Sequence, residues 1–171
     1  MLDWRNDFIL CILEMKKIAV FVDVQNIYYT TKQAYGGSFN YRELWRRVNE
    51  LGEIVIANAY AIDSNDDGQK RFQTALRSIG FEVKLKPFIQ RQDGSAKGDW
   101  DVGITIDVLE SATEVDHVVL LTGDGDFALL LDKITSDYQV KTCVFGVESL
   151  TARGLIKSCD AFYPIEQDLL L

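Results

Sequence analysis

Residues 117–127 read HVVLLTGDGDF, an apolar run that ends in two aspartates, the first of them framed by glycines. A short continuous apolar run bounded by turn residues predicts a strand buried on both faces, the pattern of a parallel sheet. Residues 18–23, IAVFVD, repeat that pattern and also end on an acid, Asp23. Working outward, strands alternate with helices. Tyr41 to Leu51 is an amphipathic helix with Asn40 as its N-cap, and Ile54 to Ile62 is a strand. Asp66 to Ile79 is a helix stopped by Gly80, followed by a strand from Phe81 to Phe88. Asp101 to Ala112 is helical and leads into the strand at His117 to Leu121. A helix from about Phe127 to Ser136, a strand from Val140 to Phe145, a short helix near Leu150 to Lys157 and an extended piece around Phe162 complete the order.

Such alternation predicts an α/β fold, a three-layer α/β/α sandwich with a mostly parallel central sheet. No repeat, low-complexity tract or linker divides the chain. Residues 17–171 are expected to form one domain and residues 1–16 an N-terminal extension. The length of 171 residues is enough to bury a real core.

Composition narrows the chemistry. Hydrophobic residues make up 47% and charged residues 26%, a soluble globular balance. No apolar run reaches the roughly 18–20 residues that span a bilayer. The opening segment is acidic and lacks a small-residue cleavage site, so a cytoplasmic protein is expected. Cys11, Cys143 and Cys159 lie far apart without a CxxC pair, and His117 is the single histidine. These counts argue against a disulfide framework and a cysteine or histidine zinc site. The net charge of -8 argues against a polyanionic partner in general. Between Lys84 and Lys97, however, Lys84, Lys86, Arg91 and Lys97 stand against Asp93 alone.

In an open parallel sheet, ligands bind beyond the carboxyl ends of the strands, where strand order reverses. If the strands ending at Asp23 and at Asp124 and Asp126 are central neighbours, their acids meet there. Asp101 opens a helix from the same edge. Asp101, Asp124 and Asp126 each lie at a helix start and are singly first N-cap candidates, and Asp99 is assigned to capping. Asp23, which ends an apolar strand, is harder to explain in that way. Asp107, six residues past Asp101, falls on another helical face and is left out. Together the four form a cluster that is costly without a cation: either some of the acids are protonated or a cation neutralises them. Two carboxylates about 4 Å apart repel by roughly 4 kcal/mol at an effective dielectric near 20. An all-oxygen donor set points to Mg²⁺ or Mn²⁺. Metals held by few carboxylates and many waters suit in-line attack on a phosphodiester.

FVDVQN at 21–26, KGDWDVGITIDV at 97–108 and TGDGDF at 122–127 resemble the three signature segments of NYN-domain proteins, PIN-like nucleases, and within them the LabA-like subgroup. The resemblance runs from about Lys17 to the C-terminus. It implies a PIN-like sandwich, dependence on Mg²⁺ or Mn²⁺, and RNA as the substrate class. By position, it implies Asp23, Asp101, Asp124 and Asp126 as metal ligands, with Asn26 beside Asp23 orienting a water or phosphate. Thr122 supports the site through its hydroxyl, where serine is commoner in the subgroup.

Lys97 and Arg91 are the phosphate-contact candidates, weighed against a solvated loop. Tyr28 and Tyr29 could stack on bases or pack on the protein, and Trp100 reads as an anchor on the sheet edge. Arg153 is a further residue that could reach the site. The reading is a metal-dependent ribonuclease hydrolysing RNA phosphodiester bonds. Its rival is a catalytically silent RNA- or nucleotide-binding regulatory module that keeps the metal site. A haloacid-dehalogenase phosphatase would need Asp-x-Asp at the first strand, where this chain has Asp23-Val24-Gln25. Oligomeric state is left open.

Overall fold

The structure is a computed structural model, and it describes residues 15–87, 89–90, 92–93 and 96–171. Residues 1–14 of the expected N-terminal extension, with Phe88 and Arg91, lie outside the described residues. The chain runs β1 (Lys17–Asp23), α1 (Val24–Tyr35), α2 (Tyr41–Leu51), β2 (Glu53–Asp63), α3 (Asp67–Ile79) and β3 (Glu82–Pro87). A short antiparallel pair follows, β4 (Ile89–Gln90) with β5 (Ala96–Lys97), and then α4 (Asp101–Ser111) and β6 (His117–Leu121). A 3₁₀ turn at Gly125–Phe127 leads into α5 (Ala128–Tyr138) and β7 (Lys141–Gly146). A turn at Glu148–Leu150, α6 (Arg153–Ser158), β8 (Ala161–Pro164) and a turn at Gln167–Leu169 close the chain.

Six strands form one sheet in the order β3-β2-β1-β6-β7-β8, every neighbour parallel. The alternating α/β layers read from the sequence are therefore borne out. The continuous apolar runs have a direct cause in β1. Ile18, Val20 and Val22 pack into one core, while Ala19 and Phe21 pack into the other on the opposite face. The first core lies under α1, α2 and α3 through Ile27, Leu44, Val48 and Leu76. The second lies under α4, α5 and α6 through Ile104, Val108, Leu131, Ile134 and Leu155. A strand sandwiched in this way cannot carry a polar residue on either face, so it reads as apolar throughout. Edge strand β3, EVKLKP, is half exposed and carries lysines instead.

Helix α1 is the element that the sequence reading did not contain. Its stretch VQNIYYTTKQAY holds a run of β-branched and aromatic residues that favours a strand. The buried stripe is at helical spacing, Val24, Ile27 and Thr31, but its third member is polar. The Thr31 hydroxyl donates to the Ile27 carbonyl at 2.7 Å, which makes it acceptable inside and hides it from an apolar count. Asp23 caps the helix at one end, and Gly36, at φ 67, ends it in the left-handed conformation.

The chain builds β1, β2 and β3 outward in one direction, then crosses back to place β6 beside β1 and build outward the other way. Order reverses between β1 and β6, where Val22 pairs with Leu121. Asp23 and the loop after Leu121 thus meet at the crevice where such sheets take ligands. Because β1 is packed from both faces, Phe21→Ala is expected to lower the unfolding free energy by about 3–5 kcal/mol in a denaturant titration. A loss below about 1 kcal/mol would show that the second core does not depend on this ring.

Candidate metal centre

Asp23 ends β1 half-buried, and its two carboxylate oxygens have different partners. Oδ1 accepts the Asn26 backbone N–H at 3.4 Å, capping α1, and Oδ2 accepts the Thr122 hydroxyl at 3.1 Å. Thr122 is fully buried, and its Oγ1 also accepts the Asp124 N–H at 3.2 Å. The Asn26 side-chain carbonyl accepts the Gly123 N–H at 2.8 Å. The start of α1 is thereby tied twice to the loop after β6.

That loop has little freedom. A Cβ on Gly123 would lie 2.6 Å from the Leu150 carbonyl oxygen, and one on Gly125 would lie 2.8 Å from Cβ of Ala152. The glycines let the loop seat against residues 150–152, where the Ala152 N–H donates to the Gly123 carbonyl at 3.0 Å. Asp124 then caps the following 3₁₀ turn, its Oδ1 accepting the Asp126 N–H at 2.9 Å.

Asp101 arrives from α4, whose start is anchored elsewhere. The Trp100 indole N–H donates to the Ala61 carbonyl at 2.9 Å, at the end of β2, and its ring packs 5.2 Å from the Tyr60 ring. Lys86 lies over the same indole at 4.4 Å and donates to the Asp99 carbonyl at 3.0 Å. Trp100 is therefore an anchor at the sheet edge. Asp99 accepts the Asp101 N–H at 3.3 Å, but the cap position of the helix is Trp100, one residue later, which makes no side-chain cap. What the sequence reading missed is that the Asp99 charge also bears on Asp23 and Asp101. Its place two residues before Asp101 was the available signal.

The structure brings carboxylate oxygens of Asp101, Asp124 and Asp126 within 4.8 Å of one another. Asp23 is not in that trio; it stands behind it, held by Thr122 and the start of α1. Burial raises the Asp23 pKa, its two hydrogen bonds oppose the rise, and the Asp124 and Asp99 charges add to it. Asp101 is pushed up to about 6, first by burial and then by the charges of Asp124, Asp99, Asp23 and Asp126. Asp107 faces away, accepting from the Tyr60 hydroxyl at 2.6 Å and pairing with Lys84 at 2.7 Å. That ion pair also removes Lys84 from the expected basic stretch.

The remaining expected residues are spread out. Lys97 lies in β5, its backbone paired with Ile89, while its side chain and Arg91 lie outside the described residues. Arg153 is exposed at the start of α6, next to the Ala152 that packs on Gly125. Tyr28 and Tyr29 are exposed on α1, their rings edge to face at 5.3 Å.

A parallel sheet with carboxylates converging at its switch point defines a Rossmann-like acidic site, and the family follows from the sequence as a whole. The model of the NYN domain matches residues 17–166, and this chain belongs to the NYN-domain family, which has a nuclease-type fold. It is 29% identical over 154 residues to the low amplitude and bright protein LabA of Synechococcus elongatus, spanning 85% of this chain and 82% of that one. It is also similar to the crystal structure of a protein of unknown function from Vibrio parahaemolyticus. That match has a TM-score of 0.88 and 53% identity, and covers 92% of this chain and 97% of the other. Among the described residues, no helix is long and apolar enough to cross a membrane.

The raised Asp101 pKa has a consequence for stability. Below about pH 4 its carboxyl is protonated in the folded and the unfolded chain alike. As pH rises from the ordinary 3.8 to about 6, the unfolded chain gives up the proton while the folded chain keeps it. Stability is therefore lost across that window as pH rises, and the full cost stands above it. Without divalent ions, Asp101→Asn is expected to melt higher than the unaltered chain at pH 7, with the gap closing towards pH 4. Melting temperatures across that range measure it, and a gap independent of pH would contradict the assignment.

Proposed function

We propose that this chain is a divalent-metal-dependent ribonuclease in which Asp101, Asp124 and Asp126 hold the ion and Asp23 supports them. The observation that carries the reading is the approach of three carboxylates at the switch point of an NYN-domain sheet. The donor set fits the ion. It is all oxygen and offers no sulfur or imidazole, which favours Mg²⁺ or Mn²⁺ over zinc. The same carboxylates raise the pKa of Asp101 by repulsion, which a cation would relieve. A divalent ion there supplies Lewis acidity toward a phosphoryl oxygen and acidifies water.

The chain's own residues place these groups. Thr122 holds the Asp23 carboxylate with its proton and the Asp124 backbone with its lone pair. Asn26 pins the loop through the Gly123 N–H. Burial raises the proton affinity of the Asp23 carboxylate, against the hydrogen bonds from Asn26 and Thr122, which suits it to take up a proton. Lys86 at the Trp100 edge, with Lys97 and Arg91, supplies positive charge for the RNA backbone in an otherwise acidic protein. The alternative, an RNA- or nucleotide-binding regulatory module without turnover, draws support from the net charge of -8 and from the Lys84–Asp107 ion pair, which takes one lysine out of the basic stretch.

Purified protein is expected to cleave single-stranded RNA in Mn²⁺ or Mg²⁺ and to lose that turnover in Asp124→Asn. Thr122→Val, which keeps the shape and removes the hydroxyl, is expected to weaken Mn²⁺ binding about 10- to 100-fold by calorimetry. RNA binding without turnover in either metal would decide for the silent module.

A further inference from the structure

The sheet edge carries a second feature, on the opposite side of β1 from the acid trio. A cleft of about 490 Å³ opens between the first turns of α1, the end of β2 and α3. This lies within the range of small-ligand sites, roughly 300–1,000 Å³. Five aromatic rings line it, Tyr28, Tyr29, Phe39, Tyr41 and Phe72, with the side-chain amides of Gln25 and Gln69. Tyr28 and Tyr29 are 51% and 62% exposed although both are large rings.

The lining decides the class of ligand. No Lys, Arg, Asp or Glu side chain faces the cleft, in a chain of net charge -8. A phosphate would find no cationic side chain there and a metal ion no carboxylate side chain. A flat, uncharged ring system with polar edges would find aromatic faces and two amides, each able to donate and to accept. The position decides the source. Val24 and Gln25, which line the cleft, directly follow Asp23, and Tyr41 is close enough to feel the Asp23 charge. The cleft therefore adjoins the acidic site along one element.

We infer that this cleft takes one unpaired nucleobase of the RNA strand whose backbone lies at the acids, which makes the chain selective for single-stranded substrates. This rests on the ribonuclease reading for the identity of the strand and goes beyond it in naming the structural class. A base held in a duplex cannot lay a face on an aromatic side chain of the cleft without leaving its own stack.

The test separates binding from cleavage. A fluorescently labelled single-stranded decaribonucleotide, the same strand in a duplex, and the strand with one abasic site are titrated in EDTA, where no metal-dependent cutting occurs. The full chain is compared with Tyr28→Ala and with Ser64→Trp, which fills the cleft from the end of β2. Stacking on an aromatic side chain corresponds to about 5- to 150-fold in affinity. The single strand is expected to bind about tenfold or more tighter than the duplex, with Tyr28→Ala and Ser64→Trp each weakening it at least about fivefold. Circular dichroism confirms folding, and the two variants approach the cleft from different elements.

Equal affinity for duplex and single strand, no RNA binding in EDTA, or unchanged affinity in both variants would overturn the inference. So would concentration-dependent self-association that both variants abolish while RNA affinity stays the same, since the cleft would then serve a second copy of the chain. Cleavage in Mn²⁺ is scored separately. Turnover with unaltered cleft-variant affinity sinks the inference alone, and cleft-dependent binding without turnover sinks the cleavage reading alone.

Discussion

A buried hydroxyl ties the ends of the two central strands, β1 and β6, together at the place where strand order reverses. Thr122 sits at the end of β6, donates to Asp23 at the end of β1 and accepts from the Asp124 backbone. A buried hydroxyl without partners would cost about 1–3 kcal/mol, so these contacts are also what allows Thr122 to be buried. The Asn26–Gly123 hydrogen bond repeats the tie one residue further along. Parallel pairing sets strand neighbours and register, but side-chain direction at strand ends depends on local contacts of this kind. Without them the Thr122–Asp126 loop would carry two acids on a glycine-rich turn with no fixed aim.

The acids themselves oppose the arrangement. Asp99, Asp101, Asp124 and Asp126 add like charge to a corner where Asp23 is already partly desolvated. The fold offsets this with uncharged hydrogen bonds and with packing of the loop on residues 150–152. It does so with no salt bridge to any of the five acids among the described residues. Two nearby lysines are engaged elsewhere: Lys84 on Asp107, Lys86 on the indole of Trp100 and the Asp99 carbonyl. An acidic corner with no salt bridge among the described residues has the electrostatics of a place that receives positive charge from outside.

Much of this was legible in the sequence, for reasons tied to particular residues. IAVFVD and HVVLLTGDGD read correctly because a strand covered on both faces has no room for polar residues. Their endpoints then mark the sheet's carboxyl edge. Asn40 and Gly80 marked helix ends because capping and chain reversal are short-range. Helix α1 was not legible, since its inward stripe includes Thr31, whose inward position depends on a hydrogen bond to its own helix. The division of the acids into a close trio with Asp23 behind was equally hidden. It depends on the Thr122 contact and on where Trp100 anchors α4, and both span many residues in sequence. The aromatic cleft was half visible: Tyr28 and Tyr29 stood out, but Phe72 and Tyr41 come from other elements.

Trp100 connects the acidic site with the end of β2. Its indole hangs α4, and with it Asp101, from the carbonyl of Ala61. Ala61 and Ile62 also line the aromatic cleft, and a Cβ on Gly98 would meet Ile62 Cδ1 at 2.3 Å. The approach to Asp101 is thus packed directly against the wall of the neighbouring cavity. An occupant that shifted Ile62 would shift the only one of the three close acids that does not come from the β6 loop. Any resulting change in cation affinity would be reciprocal, with the cation altering the cleft's affinity by the same factor. Ile62 thus belongs both to the wall of the cleft and to the packing that seats the segment leading into Asp101.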